Sequence, residues 1–428
     1  MKDNNRKRKK GFSRRDFLKG AAYGTLGVAL GLKGLENKAE ADEPAAQSAV
    51  RNPKTGPKLF EKTRIKSLEL PCRALRSATW TGSADEKGYV TDRTVDFYRN
   101  LGRGNIGLIV TGYQYILPNG MELPNMIGNY DDDQIQGLTR LTKAVHSEGG
   151  RIAAQIVHTG ARASTKSFPD GWRLWSPSPV EDPETGRAIP QMTRSEILQA
   201  IQAYASAAGR SKRAGFDAVE LHAAHGYGIN QFLSEAGNRR GDAYGGSLKN
   251  RYRFLGEVLE AVRGSVGQDY PVLIKLSGHD YTDGGLVPDQ SVQIARRLAD
   301  DGIHLITLSA GSGATAKKGL GPARSGILSE KKEAYLADIS AVVKEAVKVP
   351  VGSVGGIRSL NKIGKLFSNG RADYVAMARP FIREPHLITR WKSGDTKKSK
   401  CISCSKCFMT GFKGTIYCVP ERKRKEKG

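Results

Sequence analysis

Several features that define other protein classes are missing from this 428-residue sequence. No apolar run reaches the roughly 18 residues that a transmembrane helix needs, so no stable membrane span is expected. No segment resembles a nucleic-acid-binding module, so DNA and RNA are not expected partners despite a formal net charge of +25. With 39% hydrophobic and 26% charged residues, the composition is typical of a globular protein with room for a sizeable core.

Part of the positive charge lies in the first 41 residues, which hold 11 Lys and Arg against 4 Asp and Glu. This stretch begins MKDNNRKRKK, continues with SRRDFLKG around Arg14 and Arg15, and then becomes weakly apolar. It ends in AEA, where we expect cleavage after Ala41. It closely resembles a twin-arginine signal, which implies the twin-arginine export machinery as a partner and a periplasmic or otherwise exported location.

From about residue 70 the sequence alternates short β-branched apolar runs with amphipathic helical stretches. The strand candidates are ALRSAT, GLIVTGYQYI, RIAAQIVH, DAVELHAA, PVLIKLSG, HLITLSAG, VPVGSVGG and ADYVAMAR. Eight strands, each followed by a helix, predict an α/β fold of the (β/α)8 TIM barrel class. A doubly wound sheet is the rival, but the Gly-x-Gly-x-x-Gly turn that often follows its first strand is absent.

The predicted organisation has four parts. A signal peptide covers residues 1–41, an N-terminal linker 42–65, the barrel 66–395, and a cysteine-rich segment with a basic tail 396–428. Inside the barrel, Thr193 and Glu196 have the spacing of a capping box, which predicts a helix start. Gly302 is predicted to end another helix.

A TIM barrel places its chemistry where strands end and loops begin. The most informative segment of this kind is LHAAHGYG, in which His222 and His225 end a strand and Tyr227 follows. Two imidazole donors and one phenol at a barrel mouth can hold a carbonyl or anionic oxygen and deliver a proton. Such a pair can equally be half of a metal site or two structural histidines, although no third ligand with zinc-like spacing lies nearby.

The motif formed by His222, His225 and Tyr227, followed by NQFLSEAGNRRGDAYGGSLKNR, resembles the signature of the old yellow enzyme family. These are FMN-dependent ene-reductases and NADH:flavin oxidoreductases. The resemblance extends from about Phe60 to Arg390 and includes RSATWTG, TGYQY and QIVHTGAR in the family's order. It implies an FMN-binding barrel, a small-molecule substrate, and NAD(P)H or a periplasmic redox partner as the electron donor.

The resemblance also implies which residues contact FMN. Gln155 falls where the family contacts the isoalloxazine, and Lys275 where a basic residue lies against flavin N1 and O2. A cation at that place stabilises the anionic reduced flavin by Coulomb attraction. Loops after the seventh and eighth strands are expected to bind the phosphate. The full predicted FMN set is Ser77, Ala78, Thr79, Gly112, Gln155, Lys275, Gly355, Gly356, Ala378 and Arg379.

The implied reaction has two halves: a donor reduces FMN, and hydride then passes from flavin N5 to the β-carbon of an activated alkene. In this scheme His222 and His225 hold and polarise the substrate's carbonyl oxygen, while Tyr227 protonates the α-carbon. Two alternatives stay open. One is a flavin protein of the amine-dehydrogenase or electron-transfer type, and the other is a non-catalytic flavin-binding barrel.

Four of the five cysteines lie in CISCSKCFMTGFKGTIYC, at Cys401, Cys404, Cys407 and Cys418. This spacing suits a [4Fe-4S] cluster, because three thiolates from one tight loop reach three iron corners. A subgroup of the old yellow enzyme family binds such a cluster just past its last barrel strand. Structural zinc, disulfides and unliganded thiols are the alternatives. Cys72, the fifth, is expected to be a small buried hydrophobe.

Overall fold

The strands of the described residues form a closed parallel barrel and two separate antiparallel hairpins. The computed structural model describes residues 58–182 and 185–426; the predicted signal peptide and the predicted linker up to residue 57 lie outside this range. The strands are β1 Thr63–Ile65, β2 Leu68–Leu70, β3 Ala74–Arg76, β4 Leu108–Val110, β5 Gln114–Tyr115, β6 Ile152–Val157, β7 Val180–Glu181, β8 Ala188–Ile189, β9 Ala218–Ala223, β10 Val272–Ser277, β11 Leu305–Ser309, β12 Val351–Ser353 and β13 Tyr374–Met377.

Eight of these strands close the barrel in the order β3, β4, β6, β9, β10, β11, β12, β13. All neighbours are parallel, and the ring closes where Val375 of β13 pairs with Ala74 of β3. Every residue of β6, β9, β10 and β11 is buried, as expected of parallel strands covered on both faces. The predicted (β/α)8 TIM barrel is confirmed, with its eight strands at the predicted places.

The longer helices lie between the barrel strands in sequence and cover the outer face of the sheet. The helices of the described residues are α1 Asp92–Gly102, α2 Ile135–His146, α3 Arg194–Arg213, α4 Gly228–Leu233, α5 Leu248–Val266, α6 Pro288–Asp300, α7 Ala337–Ala346, α8 Leu360–Ser368, α9 Arg379–Arg383, α10 Leu387–Lys392 and α11 Val419–Lys425. The capping box predicted at Thr193 and Glu196 begins α3. Gly302, with φ +85°, follows the end of α6. No described helix has both the length and the apolar character that crossing a membrane requires.

The hairpin of β1 and β2 seals the end of the barrel where the strands begin. Ile65, Leu68 and Leu70 pack into one apolar cluster with interior residues such as Leu75 and Leu273. Residues 58–65, at the end of the predicted linker, include a 3-10 helix, Lys58–Phe60, and strand β1. Cys72, 2% exposed, is buried just after this hairpin, as predicted.

The cysteine-rich segment packs against the opposite end of the barrel. Its 3-10 helix, Phe408–Lys413, places Phe408 and Phe412 beside the indole of Trp80, with ring centroids 5.4 and 4.8 Å away. A Cβ added at Gly82, whose φ is +61°, would lie 2.2 Å from the carbonyl oxygen of Gly411. The backbone after β3 thus touches the backbone of the C-terminal segment, and only glycine permits this approach.

Candidate active site

The predicted site residues lie at the ends of barrel strands or in the loops that follow them. Ser77, Ala78 and Thr79 follow β3, Gly112 follows β4, and Gly355 and Gly356 follow β12. Gln155, His222 and Lys275 belong to the C-terminal halves of β6, β9 and β10. The structure therefore gathers them at one mouth of the barrel, the end at which TIM barrels carry their sites.

Two imidazoles and one phenol converge at this mouth. The ring centroid of His222 lies 4.9 Å from that of His225 and 4.9 Å from that of Tyr227. His225 adopts a left-handed backbone conformation, φ +65°, which a residue with a side chain adopts at an energetic cost. Tyr227 is the N-cap of α4, directly after this turn. The strained turn places all three side chains in one cluster.

Hydrogen bonds fix the nitrogen that each imidazole offers to the mouth. The backbone N–H of Ala224 donates to Nδ1 of His222 at 3.3 Å, so His222 carries its proton on Nε2. Nε2 of His225 lies 2.7 Å from the hydroxyl of Ser309. Burial lowers the pKa of His222, and burial lowers the pKa of His225 to about 3, with Lys275 adding to both shifts. Both rings are therefore neutral at neutral pH, and His222 is a neutral N–H donor.

Tyr227 is held by a carboxylate that the sequence did not reveal. Its hydroxyl donates to Oε2 of Glu122 at 2.6 Å. Arg162 donates to the other carboxylate oxygen of Glu122, from Nε at 3.0 Å and from Nη2 at 2.5 Å. Burial raises the pKa of Tyr227, and the charge of Glu122 raises it further. The phenol is thus kept protonated, as a proton donor must be before it reacts.

A layer of buried polar side chains lies inside the barrel beneath the mouth. Nε2 of Gln155 donates to Oε2 of Glu220 at 2.5 Å, and Nζ of Lys275 lies 3.7 Å from the same oxygen. Lys275 also donates to the hydroxyl of Ser77 at 3.1 Å. Burial lowers the pKa of Lys275, and the Glu220 carboxylate opposes this shift. The structure thus brings Gln155, Lys275 and Ser77 together around Glu220.

Some polar atoms at this level have no hydrogen-bond partner among the described residues. A buried polar atom without a partner costs about 1–3 kcal/mol, so such atoms point to a bound group. The carbonyl oxygen of the Gln155 amide can accept a bond from a donor such as an imide N–H, and the free hydroxyl of Thr307 lies one strand away from Lys275. An acceptor and a hydroxyl at this place fit the polar edge of a flavin. The unpartnered atoms of this layer are Gln155 Oε1 and Thr307 Oγ1.

The residues predicted to bind the phosphate lie at the expected strand ends, but their contacts are with protein. Gly355 and Gly356 have φ +117° and +71° and pack against the loop around Tyr335. Ala378 is the N-cap of α9. The guanidinium of Arg379 donates to the carbonyl of Ser403 and the hydroxyl of Ser405 in the cysteine-rich segment. Their role at a phosphate stays a prediction.

The cysteine-rich segment has an unusual backbone but no assembled metal site. Ser403 and Ser405, which separate the first three cysteines, have φ +50° and +56°. Cys401, Cys404, Cys407 and Cys418 are free thiols, and burial raises the pKa of Cys407 to about 11. Within residues 58–182 and 185–426, no group of three or more His, Cys, Asp or Glu side chains is placed to hold a metal ion. The four thiols as placed do not form a ligand set.

Comparison with known proteins identifies the family. The NADH:flavin oxidoreductase / NADH oxidase family matches residues 58–398. The chain belongs to this family. Its members are FMN oxidoreductases, and the expected resemblance to old yellow enzyme is confirmed. Residues from every barrel strand fall inside the matched range, so the match covers the whole barrel and its mouth.

Two relatives and one solved structure illustrate the similarity of this family member. It is 36% identical over 351 residues to an NADH oxidase of Thermoanaerobacter brockii, covering 82% of this chain and 53% of the relative. It is 35% identical over 333 residues to an NADPH dehydrogenase of Clostridium acetobutylicum, covering 77% of this chain and 93% of the relative. The old yellow enzyme homologue of Zymomonas mobilis superimposes with a TM-score of 0.68 at 25% identity, covering 81% and 96%.

Several residues that contact the predicted site residues were not apparent from the sequence. Glu220 had a usable signal, because it lies two residues before His222 on the same strand and hence on the same face. Glu122, Arg162 and Tyr113 come from three different loops, and no spacing in the sequence connects them. Tyr113 lies next to the cluster, with its ring centroid 5.5 Å from that of Tyr227.

Proposed function

We propose that this protein is an exported FMN-dependent oxidoreductase that reduces an activated C=C bond, such as that of an α,β-unsaturated carbonyl compound. NAD(P)H or a periplasmic redox partner would be the electron donor. The observation that carries the proposal is the convergence of His222, His225 and Tyr227 at the barrel mouth, with ring centroids 4.9 to 6.4 Å apart. The names of the NADH oxidase and NADPH dehydrogenase relatives agree with a nicotinamide donor.

The two imidazoles supply a site for the substrate's carbonyl oxygen. Because Nδ1 of His222 accepts a backbone N–H, its Nε2–H is free to donate to that oxygen. Negative charge develops on the oxygen as hydride reaches the β-carbon, and a buried donor stabilises this charge more strongly than water would. His225, anchored by Ser309, is the second candidate donor.

Tyr227 supplies the proton that completes the reduction. When bound, FMN supplies the hydride, and Gln155, Lys275 and Ser77 are the residues placed to hold its polar edge. The phenolic O–H bond of Tyr227 breaks as the new C–H bond forms at the α-carbon. Since burial keeps the phenol protonated, the residue begins each cycle in the form that the reaction needs.

The experiment that tests this function measures turnover of 2-cyclohexen-1-one with NADH, NADPH and a one-electron donor in turn. We expect reduction of the alkene by the wild type and a fall of about 10² to 10⁴ in kcat for Tyr227→Phe, which keeps the ring but removes the proton. A protein that holds FMN but reduces no activated alkene with any donor would refute the proposal. Reduction by the one-electron donor alone would assign the donor to a redox partner.

Export is proposed from the twin-arginine resemblance of the leader. Replacing Arg14 and Arg15 together by lysine preserves charge but removes the arginine pair, so we expect the protein to remain in the cytoplasmic fraction. Cell fractionation of the wild type and of this variant tests the proposal, and a variant exported as efficiently as the wild type would contradict it.

We also propose that Cys401, Cys404, Cys407 and Cys418 bind the [4Fe-4S] cluster that their spacing favours. Iron and acid-labile sulfide analysis, together with a visible spectrum of the purified protein, tests it directly. We expect about four irons for each chain, and replacing Cys404 by serine should lower that number. A flavin spectrum without iron would remove the cluster from the proposed function and leave the flavin chemistry untouched.

A further inference from the structure

We infer that Glu122 is a positioning residue for Tyr227 that carries the replacement proton to the phenol after each reduction. The inference rests on the proposed function, since it concerns the proton that Tyr227 gives to the substrate. Glu122 lies in the loop after β5, and its side chain is 12% exposed. Tyr227 is 8% exposed.

The two oxygens of the Glu122 carboxylate have different partners. Oε2 accepts the hydroxyl of Tyr227 at 2.6 Å and lies 3.4 Å from the hydroxyl of Tyr113. Oε1 accepts both bonds from Arg162. Oε2 thus faces the two phenols, and Oε1 is held by a guanidinium that fixes the orientation of the carboxylate. The guanidinium of Arg162 also lies 5.7 Å from the centroid of the Tyr227 ring.

The direction of the Tyr227 hydroxyl has a chemical consequence. Its proton points at Glu122 in the structure, so the hydroxyl turns about its C–O bond when it donates that proton to the substrate. The phenolic oxygen thus exchanges protons with two groups, the substrate and the carboxylate. Because Tyr227 is buried, the carboxylate is the partner through which the phenol communicates with solvent.

The proton balance closes over one turnover. The O–H bond of Tyr227 breaks as a C–H bond forms on the substrate, and a phenolate remains. Glu122 takes one proton from solvent on Oε2 and passes it along the 2.6 Å hydrogen bond, which restores the phenol and the carboxylate. One solvent proton is consumed for each alkene reduced, and no electrons are exchanged in this step.

The charged and titratable neighbours favour this arrangement. Arg162, from the turn after β6, compensates the carboxylate charge between proton transfers. Tyr113, from the loop after β4, lies 3.4 Å from Oε2. The neutral rings of His222 and His225 have their centroids 4.9 and 6.4 Å from that of Tyr227. Arg162 raises no barrier against a phenolate, because its positive charge attracts that anion.

The test compares two electron acceptors in one set of flavin-loaded variants. The activated alkene needs a proton from Tyr227, whereas ferricyanide takes electrons alone. For Glu122→Gln, which keeps the shape and loses the exchangeable carboxylate, we expect kcat with 2-cyclohexen-1-one to fall about 10- to 100-fold. Turnover with ferricyanide should stay within about twofold. Glu122→Asp should recover part of the loss, and Glu69→Gln, an exposed carboxylate at the sealed end of the barrel, serves as the matched control.

A second readout separates a proton relay from a structural role. In Glu122→Ala, small carboxylic acids such as acetate should restore alkene turnover in proportion to their concentration. Because Glu122→Gln leaves the Arg162 charge without its partner, the double variant Glu122→Gln, Arg162→Gln is measured as well, and it should show the same alkene-specific loss.

The outcomes decide the inference. Equal losses with both acceptors, or unchanged alkene turnover in a folded and flavin-loaded Glu122→Gln, would overturn it while leaving the proposed function intact. A wild type that reduces ferricyanide but no alkene would overturn the proposed function itself, and the relay with it. An alkene-specific loss with acetate rescue supports the relay.

Discussion

The two ends of the barrel are built from the same strands but have opposite chemistry. At the sealed end, β1 and β2 press leucine and isoleucine against an interior that includes Leu273 and Ala218. Two residues further along the same strands, the interior positions are occupied by Lys275 and Glu220, both almost fully buried. Side chains two residues apart on a strand share a face. Moving two residues along each strand therefore leads from the apolar plug, formed by these residues with β1 and β2, to the layer of buried polar side chains. Apolar burial at the sealed end contributes stability, whereas the burial of polar and charged groups at the mouth costs stability.

The sharpest test of this division removes a polar group at the mouth. For His222→Ala we expect alkene turnover for each bound flavin to fall by about 10²- to 10³-fold, because the carbonyl oxygen loses a preorganised donor. The thermal midpoint should move by only a few degrees. Steady-state kinetics and calorimetry on the same samples measure both quantities. Near-wild-type turnover would mean that the mouth does not act through this histidine.

The reverse experiment removes a methyl-rich side chain at the sealed end. Leu70, 2% exposed, packs in the apolar plug, and Leu70→Ala should cost about 2–4 kcal/mol of unfolding free energy through lost burial and a residual cavity. Turnover for each bound flavin should be unchanged at a temperature where the variant is folded. Urea denaturation measures the stability.

Glu69→Gln, the neighbouring exposed position, is the control and should shift stability by less than about 1 kcal/mol. If Leu70→Ala lowered turnover as strongly as His222→Ala, the two ends of the barrel would not be separable in this way.

A pH-dependent effect is expected from His158, which directly follows β6 at the mouth end. The backbone N–H of Gly160 donates to its Nδ1, and Nε2 lies 3.0 Å from Oδ1 of Asn119, so the ring is held neutral. Burial lowers the pKa of His158 to about 3, against 6.5 in an unfolded chain. Between these values the unfolded state binds more protons. His158 therefore leaves the free energy of unfolding unchanged above pH 6.5. As pH falls towards 3, it lowers that free energy by about 1.4 kcal/mol for each pH unit.

Urea midpoints between pH 4 and 7 measure this slope. His158→Gln should reduce this slope by the amount that corresponds to uptake of about one proton on unfolding. Replacing the exposed His386 by glutamine should leave the slope unchanged. An identical slope in all three proteins would show that His158 is not held neutral by the fold.

The barrel and the positions on its strands were predictable from sequence, and the contacts between loops were not. Eight buried parallel strands give eight apolar runs, so His222, Gln155 and Lys275 could be placed at strand ends by counting. Glu122 and Arg162 approach Tyr227 from separate loops whose paths depend on the folded barrel. The same reason explains Arg379, whose strand-end position was correct but whose observed partners, Ser403 and Ser405, lie in the distant cysteine-rich segment.

The contact between Gly82 and Gly411 also sets an order of events during biosynthesis. A ribosome completes the barrel strands, up to Met377, before it makes the residues that pack on Trp80. The wall of the mouth beside Trp80 is therefore finished only after residues 408–412 have been made. A chain that ends just short of Phe408 would lack the side chains that pack on Trp80, and this side of the mouth would be open.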